Sequence, residues 1–193
     1  MSPSSPSTVA EWRGFLEDYS AKFLASDYLR QAEADGQAPF PVSDTQRESG
    51  WLGREPATEE EVRAAEERLG VRLPPAYRSF LLTSNGWNSI GPVDLLKADE
   101  IAWFAEREAW LVDAWSEPGE DFFIGDFAML DRCLVIANDD GGGGCYWLLH
   151  ADGARGNGEW TAYEWWPGDG DVPQGSVSGD FAALVTSTAE NIT

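Results

Sequence analysis

Apolar residues recur at helical spacing near the N-terminus, where Trp12, Phe15, Leu16, Tyr19 and Phe23 fall on one stripe behind a Thr8/Glu11 capping box. This pattern predicts an amphipathic helix. From Glu33 to Arg54 the chain is richer in Gly, Pro, Ser and acids, and reads as a connection anchored by Phe40 and Trp51. A second capping box, Thr58 and Glu61, opens a helix over Glu59 to Leu69, with Val62, Ala65 and Leu69 on one face and Gly70 as its left-handed stop. Leu73, Pro74 and Pro75 then force an extended elbow. Tyr77, Phe80, Leu81 and Ser84 follow at helical spacing until Asn85 and Gly86, completing a helical hairpin.

Beyond the hairpin the period changes. Pro92 to Leu96 reads as a short strand, and a helix follows with Ile101, Phe104, Leu111 and Trp115 facing inward. Phe122 to Ile124, Leu134 to Ala137, Tyr146 to Leu149 and Thr161 to Trp165 read as strands separated by Gly- and Asp-rich turns. Phe181, Ala182, Leu184 and Val185 close the chain as a short helix beginning near Ser178. Helices on both sides of a strand meander, without regular βαβ alternation, predict an α+β fold with an extra N-terminal helix. The expected division is 1–7 as a flexible start, 8–54 as helix and connection, and 55–190 as the domain.

Composition narrows the partners. Thirty-four Asp and Glu against 13 Lys and Arg give a formal net charge of -21 over 193 residues. Such a field repels a phosphate backbone and attracts a basic protein, so nucleic acid is not the expected ligand. No export signal and no membrane-length apolar run is visible, and a cytoplasmic protein is expected. Cys133 and Cys145 fit that compartment as free, buried thiols; a hairpin register pairing Ala137 with Cys145 would set Cys133 opposite Leu149, too far to bridge. Half of the ten Trp are expected in the core.

The run ATEEEVRAAEERLGVRLPPAYRSFLLTSNGW, Ala57 to Trp87, resembles the signature of the SUKH superfamily. Glu66, Leu69, Gly70, Leu73, Pro74, Tyr77, Phe80, Leu81, Asn85 and Gly86 stand in its order and spacing; Phe122 to Phe127 (FFIGDF) and the closing Ser178, Phe181 and Leu184 resemble its later elements. The resemblance covers approximately 50–190. It implies a mixed or mainly antiparallel sheet packed with helices, and a role as either a bacterial immunity protein beside a toxin or a regulatory scaffold like the fungal Smi/Knr proteins.

Catalytic patterns are not found in the sequence. His150 is the single histidine, and no HExxH, CxxC, GxSxG or phosphate-loop pattern surrounds it. The Asn138-Asp139-Asp140 run before four glycines lacks the alternating ligands and distal Glu of an EF-hand, and reads as a hairpin loop. Asp121, Asp126 and Asp131 show no defined acid–base separation, and Gly153 to Gly158 reads as a turn. The expectation is a binding protein without cofactor or metal, with an enzyme as the third-ranked class. Interfaces draw energy from aromatic anchors while charge selects the partner. The candidate partner-binding residues are therefore Trp87 and Asn88; Glu117, Glu120 and Asp121; Asp139 and Asp140; and Trp165, Trp166, Asp169 and Asp171. The expected partner is a basic toxin domain, a nuclease or another cytotoxic enzyme such as an ADP-ribosyltransferase.

Overall fold

The N-terminal helix α1 (Val9–Ala25) starts at the capping box the sequence announces: Thr8 Oγ1 accepts from the Glu11 N–H at 3.3 Å and Glu11 Oε2 accepts from the Thr8 N–H at 3.0 Å. The computed structural model describes residues 5–91, 93–115, 127–139, 144–169 and 179–190. The stretch from Glu33 to Arg54, expected as a bare connection, contains a further helix, α3 (Asp44–Ser49), and another unexpected helix, α2 (Asp27–Ala34), runs into its start. Ser26 caps α2, and a Ser43/Gln46 box with Gly50 in the left-handed conformation bounds α3. These local signals are present in the sequence, but the surrounding Gly, Pro and acidic residues masked them. Phe40 is buried, stacking on Phe23 at 5.7 Å.

The helical hairpin is α4 (Glu59–Leu69) and α5 (Pro75–Leu81). The Thr58/Glu61 box opens α4, and Gly70, at φ +71°, ends it. Within the elbow the Glu66 carboxylate turns inward and accepts the Leu73 N–H at 3.0 Å. Helix α5 stops earlier than the spacing of Ser84 suggests. The Ser84 hydroxyl instead accepts the Arg54 N–H at 2.9 Å and donates to the Gly86 carbonyl at 2.7 Å, drawing the chain out of the helix. Gly86 then turns at φ +84° where a Cβ would stand 2.8 Å from the Leu95 carbonyl, so only glycine fits without a shift.

Among the described residues six strands form one antiparallel sheet: β1 (Trp87–Ile90), β2 (Val93–Leu95), β3 (Ala102–Trp103), β4 (Cys133–Asn138), β5 (Tyr146–His150) and β6 (Thr161–Trp165). The order is β1-β2-β4-β5-β6, with β3 also on β4. β2 lies along the C-terminal part of β4 and β3 along its N-terminal part, so the two are pieces of one interrupted strand. The long helix expected across Ile101 to Trp115 is correspondingly broken: Ile101 leads into β3, followed by α6 (Phe104–Arg107) and α7 (Ala109–Trp115). Pairing with β4 takes the backbone hydrogen bonds that a helix would have used. The strand expected at Phe122 to Ile124 lies outside the described residues.

A bulge between Val135 and Ala137 shifts the β4/β5 register, pairing Ala137 with Trp147 and Cys133 with His150. The register considered from the sequence is thus corrected by two residues at Ala137, which faces Trp147 instead of Cys145, and by one at Cys133, which faces His150 instead of Leu149, while both cysteines remain free and buried. The Ile136 carbonyl within the bulge accepts the Leu96 N–H at 2.9 Å, from the excursion between β2 and β3.

The terminal helix α8 (Phe181–Glu190) packs against both β6 and β1, the opposite edges of the sheet. Its ten residues rise about 15 Å, close to the roughly 19 Å width of five strands, so it crosses a whole face. Phe181 joins it to the other helices, with ring centroids 5.4 Å from Trp12, 4.8 Å from Tyr77 and 5.3 Å from Phe80. The opposite face receives Phe104 from α6, which meets Tyr146 at 5.7 Å and Trp165 at 5.4 Å.

Candidate partner-binding site

Strand register decides which of the acidic and aromatic segments meet. Asn138, Tyr146 and Trp165 lie side by side across β4, β5 and β6. The segments beginning at Asp139 and Trp166 therefore leave the same end of the sheet. Asp139, at the close of β4, donates its backbone N–H to the Cys145 carbonyl at 3.0 Å, which tightens the base of that hairpin. Asp140, Asp171, Glu117, Glu120 and Asp121 lie outside the described residues, as does the side chain of Asp169.

Two of the expected aromatic anchors are core residues. Trp87 is fully buried, edge-on to Tyr19 at 6.1 Å and to Trp51 at 5.3 Å, and Trp165 is buried against Phe104. Neither ring presents a face to a partner, which corrects their assignment as contact residues. Both belong to strands whose neighbours from distant sequence cover them. Asn88 is half-buried and accepts from Arg54 Nη2, a contact within the fold. Of the named tryptophans, Trp166 keeps a half-exposed ring, and its Nε1 donates to Glu164 Oε1 at 3.3 Å.

Sequence reasoning missed the roles of Glu164, Glu108, Tyr146 and Trp110 at this end. Glu164 stands between two indoles, since Trp147 Nε1 donates to its other oxygen at 3.2 Å. The turn between α6 and α7 brings Glu108 to the opposite face, where its Oε2 accepts from Trp110 Nε1 at 3.1 Å and its carboxylate faces the Tyr146 hydroxyl. Burial, then the Glu108 charge and hydrogen bond, push Tyr146 up to about 12. Burial also pushes the Cys145 thiol up to about 12, with the Glu164 and Asp139 charges adding to it. Trp110 is 66% exposed, more than any other large apolar side chain among the described residues. Its signal was legible: it sits beside Leu111, out of phase with the inward stripe of Phe104 and Leu111, next to acidic Glu108.

The chemical capacity of this end is recognition: aromatic surfaces set among carboxylates, in a chain of net charge -21. Among the described residues, no group of three or more His, Cys, Asp and Glu is placed to hold a metal ion. His150 is half-buried with its ring 6.4 Å from Tyr163. Among the same residues no helix is long and apolar enough to cross a membrane.

The family model of the SMI1/KNR4 family (SUKH-1) matches residues 56–187, from the segment before α4 to the last turns of α8. The chain belongs to that family. Helices α1 to α3 precede the matched region. No curated protein matches the chain.

Proposed function

We propose that this member of the SMI1/KNR4 family is a non-catalytic immunity protein of the bacterial cytoplasm, which neutralises a basic toxin enzyme by covering its active-site cleft. One observation carries the reading. Partly exposed aromatic residues and carboxylates flank a single end of the sheet, Trp166 with Glu164 on one face and Trp110 with Glu108 on the other, under a net charge of -21. Aromatic anchors supply binding energy, and the acidic field accelerates capture of a cationic partner before it acts. Occlusion needs no turnover, in keeping with a site built from packing and fixed charge.

The test is recovery of the partner from the source cell, followed by inhibition and association-rate measurements at low and high salt. A single basic enzyme, inhibited stoichiometrically and bound more slowly in high salt, supports the proposal. An unchanged on-rate removes the steering component. Recovery of several non-enzymatic partners favours a regulatory scaffold of the Smi/Knr kind instead. Reversing Asp139, Asp140, Asp169 and Asp171 to Lys is the companion experiment, expected to slow association without altering the fold.

A further inference from the structure

Trp110 is exposed, yet its orientation is set. Its indole N–H is bound to Glu108 Oε2 at 3.1 Å, and the Glu108 side chain is itself only 12% exposed, between Trp110 and Tyr146. The indole is thus held at its N–H edge while the residue remains 66% exposed. Large aromatic side chains held in place in the free protein are what an interface uses as anchors, because little further ordering is lost on binding. Asp113, also exposed, follows on the same helix at the i+3 position, beside Trp110 on the helix surface. The neighbouring Arg107 donates to the Glu100 carbonyl at 3.1 Å and pairs with the other oxygen of Glu108 at 3.8 Å, so the Glu108 charge is already met and Asp113 is the carboxylate left for a partner's cation.

We infer that Trp110 and Asp113 receive an arginine side chain of the partner protein, the guanidinium stacking on the indole face and pairing with the Asp113 carboxylate. The planar guanidinium suits both contacts at once, whereas an ammonium offers no stacking plane. Charge complementarity selects the occupant: an aromatic face attracts cations, and the chain around it is strongly acidic. Glu108 is a positioning residue that holds the ring. This inference deepens the proposed binding of a basic protein and rests on that reading for its biological partner, but the chemistry is testable without it.

The experiment uses the full chain, 15N-labelled, titrated with a tri-arginine peptide and a matched tri-lysine peptide while the tryptophan indole N–H resonances are followed. Tri-arginine is expected to move the Trp110 resonance, with Trp110→Ala and Asp113→Asn each weakening binding about fivefold. Trp110→Phe retains part of the affinity through its ring. Glu60→Gln, which removes the same charge from the exposed face of α4, changes it by less than about twofold. Equal effects of Glu60→Gln and Asp113→Asn, or wild-type binding by Trp110→Ala, overturn the inference. So does a toxin recovered as above and inhibited with undiminished affinity by Trp110→Ala, a result that leaves the immunity reading intact. Peptide binding at Trp110 with no inhibited enzyme has the opposite meaning: arginine recognition stands and the immunity reading fails.

Discussion

Trp12 Nε1 donates to the Ala76 carbonyl at 2.9 Å, joining the N-terminal helix to α5 across 64 positions of sequence. The indole is fully buried, edge-on to Phe80 and tilted on Phe181, although Trp12 precedes the region matched to the family. The N-terminal helix therefore completes the core that α5 and α8 begin. Trp12→Ala is expected to cost about 3–5 kcal/mol through the cavity it leaves. Trp12→Phe, which keeps much of the ring but loses the indole N–H donor, should cost about 0.5–1.5 kcal/mol through the hydrogen bond. Urea unfolding of both variants provides the comparison, and a negligible loss in Trp12→Phe would show that the hydrogen bond contributes nothing beyond packing.

Glu66 holds the elbow between α4 and α5 by a buried hydrogen bond. One oxygen accepts the Leu73 N–H at 3.0 Å and the other meets Arg72 at 3.2 Å, where the arginine side chain is largely in solvent. Glu66→Ala leaves a buried N–H without its acceptor and should destabilise by about 1–3 kcal/mol. Glu66→Gln keeps an acceptor oxygen and should lose less. Arg72→Ala should change stability by under about 1 kcal/mol, because the pair is screened on the arginine side. Chemical denaturation midpoints rank the three variants.

Glu159 couples stability to pH in the direction opposite to most carboxylates. It is buried beneath the start of α5, with Oε1 accepting the Ala76 N–H at 2.9 Å and Oε2 lacking a partner. Desolvation raises its pKa, the Ala76 hydrogen bond opposes this, Asp180 adds to it and Arg155 opposes it. A carboxyl that holds its proton more tightly when folded destabilises the folded state as pH rises through the window between its unfolded and folded pKa values. The stability of Glu159→Gln relative to wild type should therefore increase as pH rises from the ordinary carboxylate range through the raised pKa of Glu159. Subtracting the two pH–stability curves isolates this group from the rest of the acidic chain. A flat difference would mean that Glu159 is not preferentially protonated in the fold.

Cys133 and Cys145 are held as thiols. Burial pushes both up to about 12, with Asp152 beside Cys133 and Glu164 and Asp139 beside Cys145 acting in the same direction. The thiolate is the reacting species, so native protein at neutral pH should resist alkylation while urea-unfolded protein reacts at both positions. Mass spectrometry after a timed iodoacetamide pulse reads the outcome. Rapid labelling of either cysteine in the native state would place it at an accessible surface.

Local signals in the amino-acid sequence determined the helix ends and several strands. The Thr8/Glu11 and Thr58/Glu61 boxes, Gly70 at the end of α4 and the aromatic-rich run Thr161 to Trp165 between turn residues each specify their structure within a few residues, because caps, turns and residue propensity are short-range chemistry. The SUKH resemblance, drawn from the hairpin motif, likewise anticipated the family and its α+β architecture. The tertiary structure alone decided the rest. Residues near Ile101 exchanged an expected helix for β3 because β4 offered an open edge, and the bulge between Val135 and Ala137 set which residues face one another. Trp87 and Trp165 have the same side chain as Trp110, yet they are buried and it is exposed. That difference comes from partners many positions away, Tyr19 and Trp51 over Trp87 and Phe104 over Trp165, which no local spacing encodes.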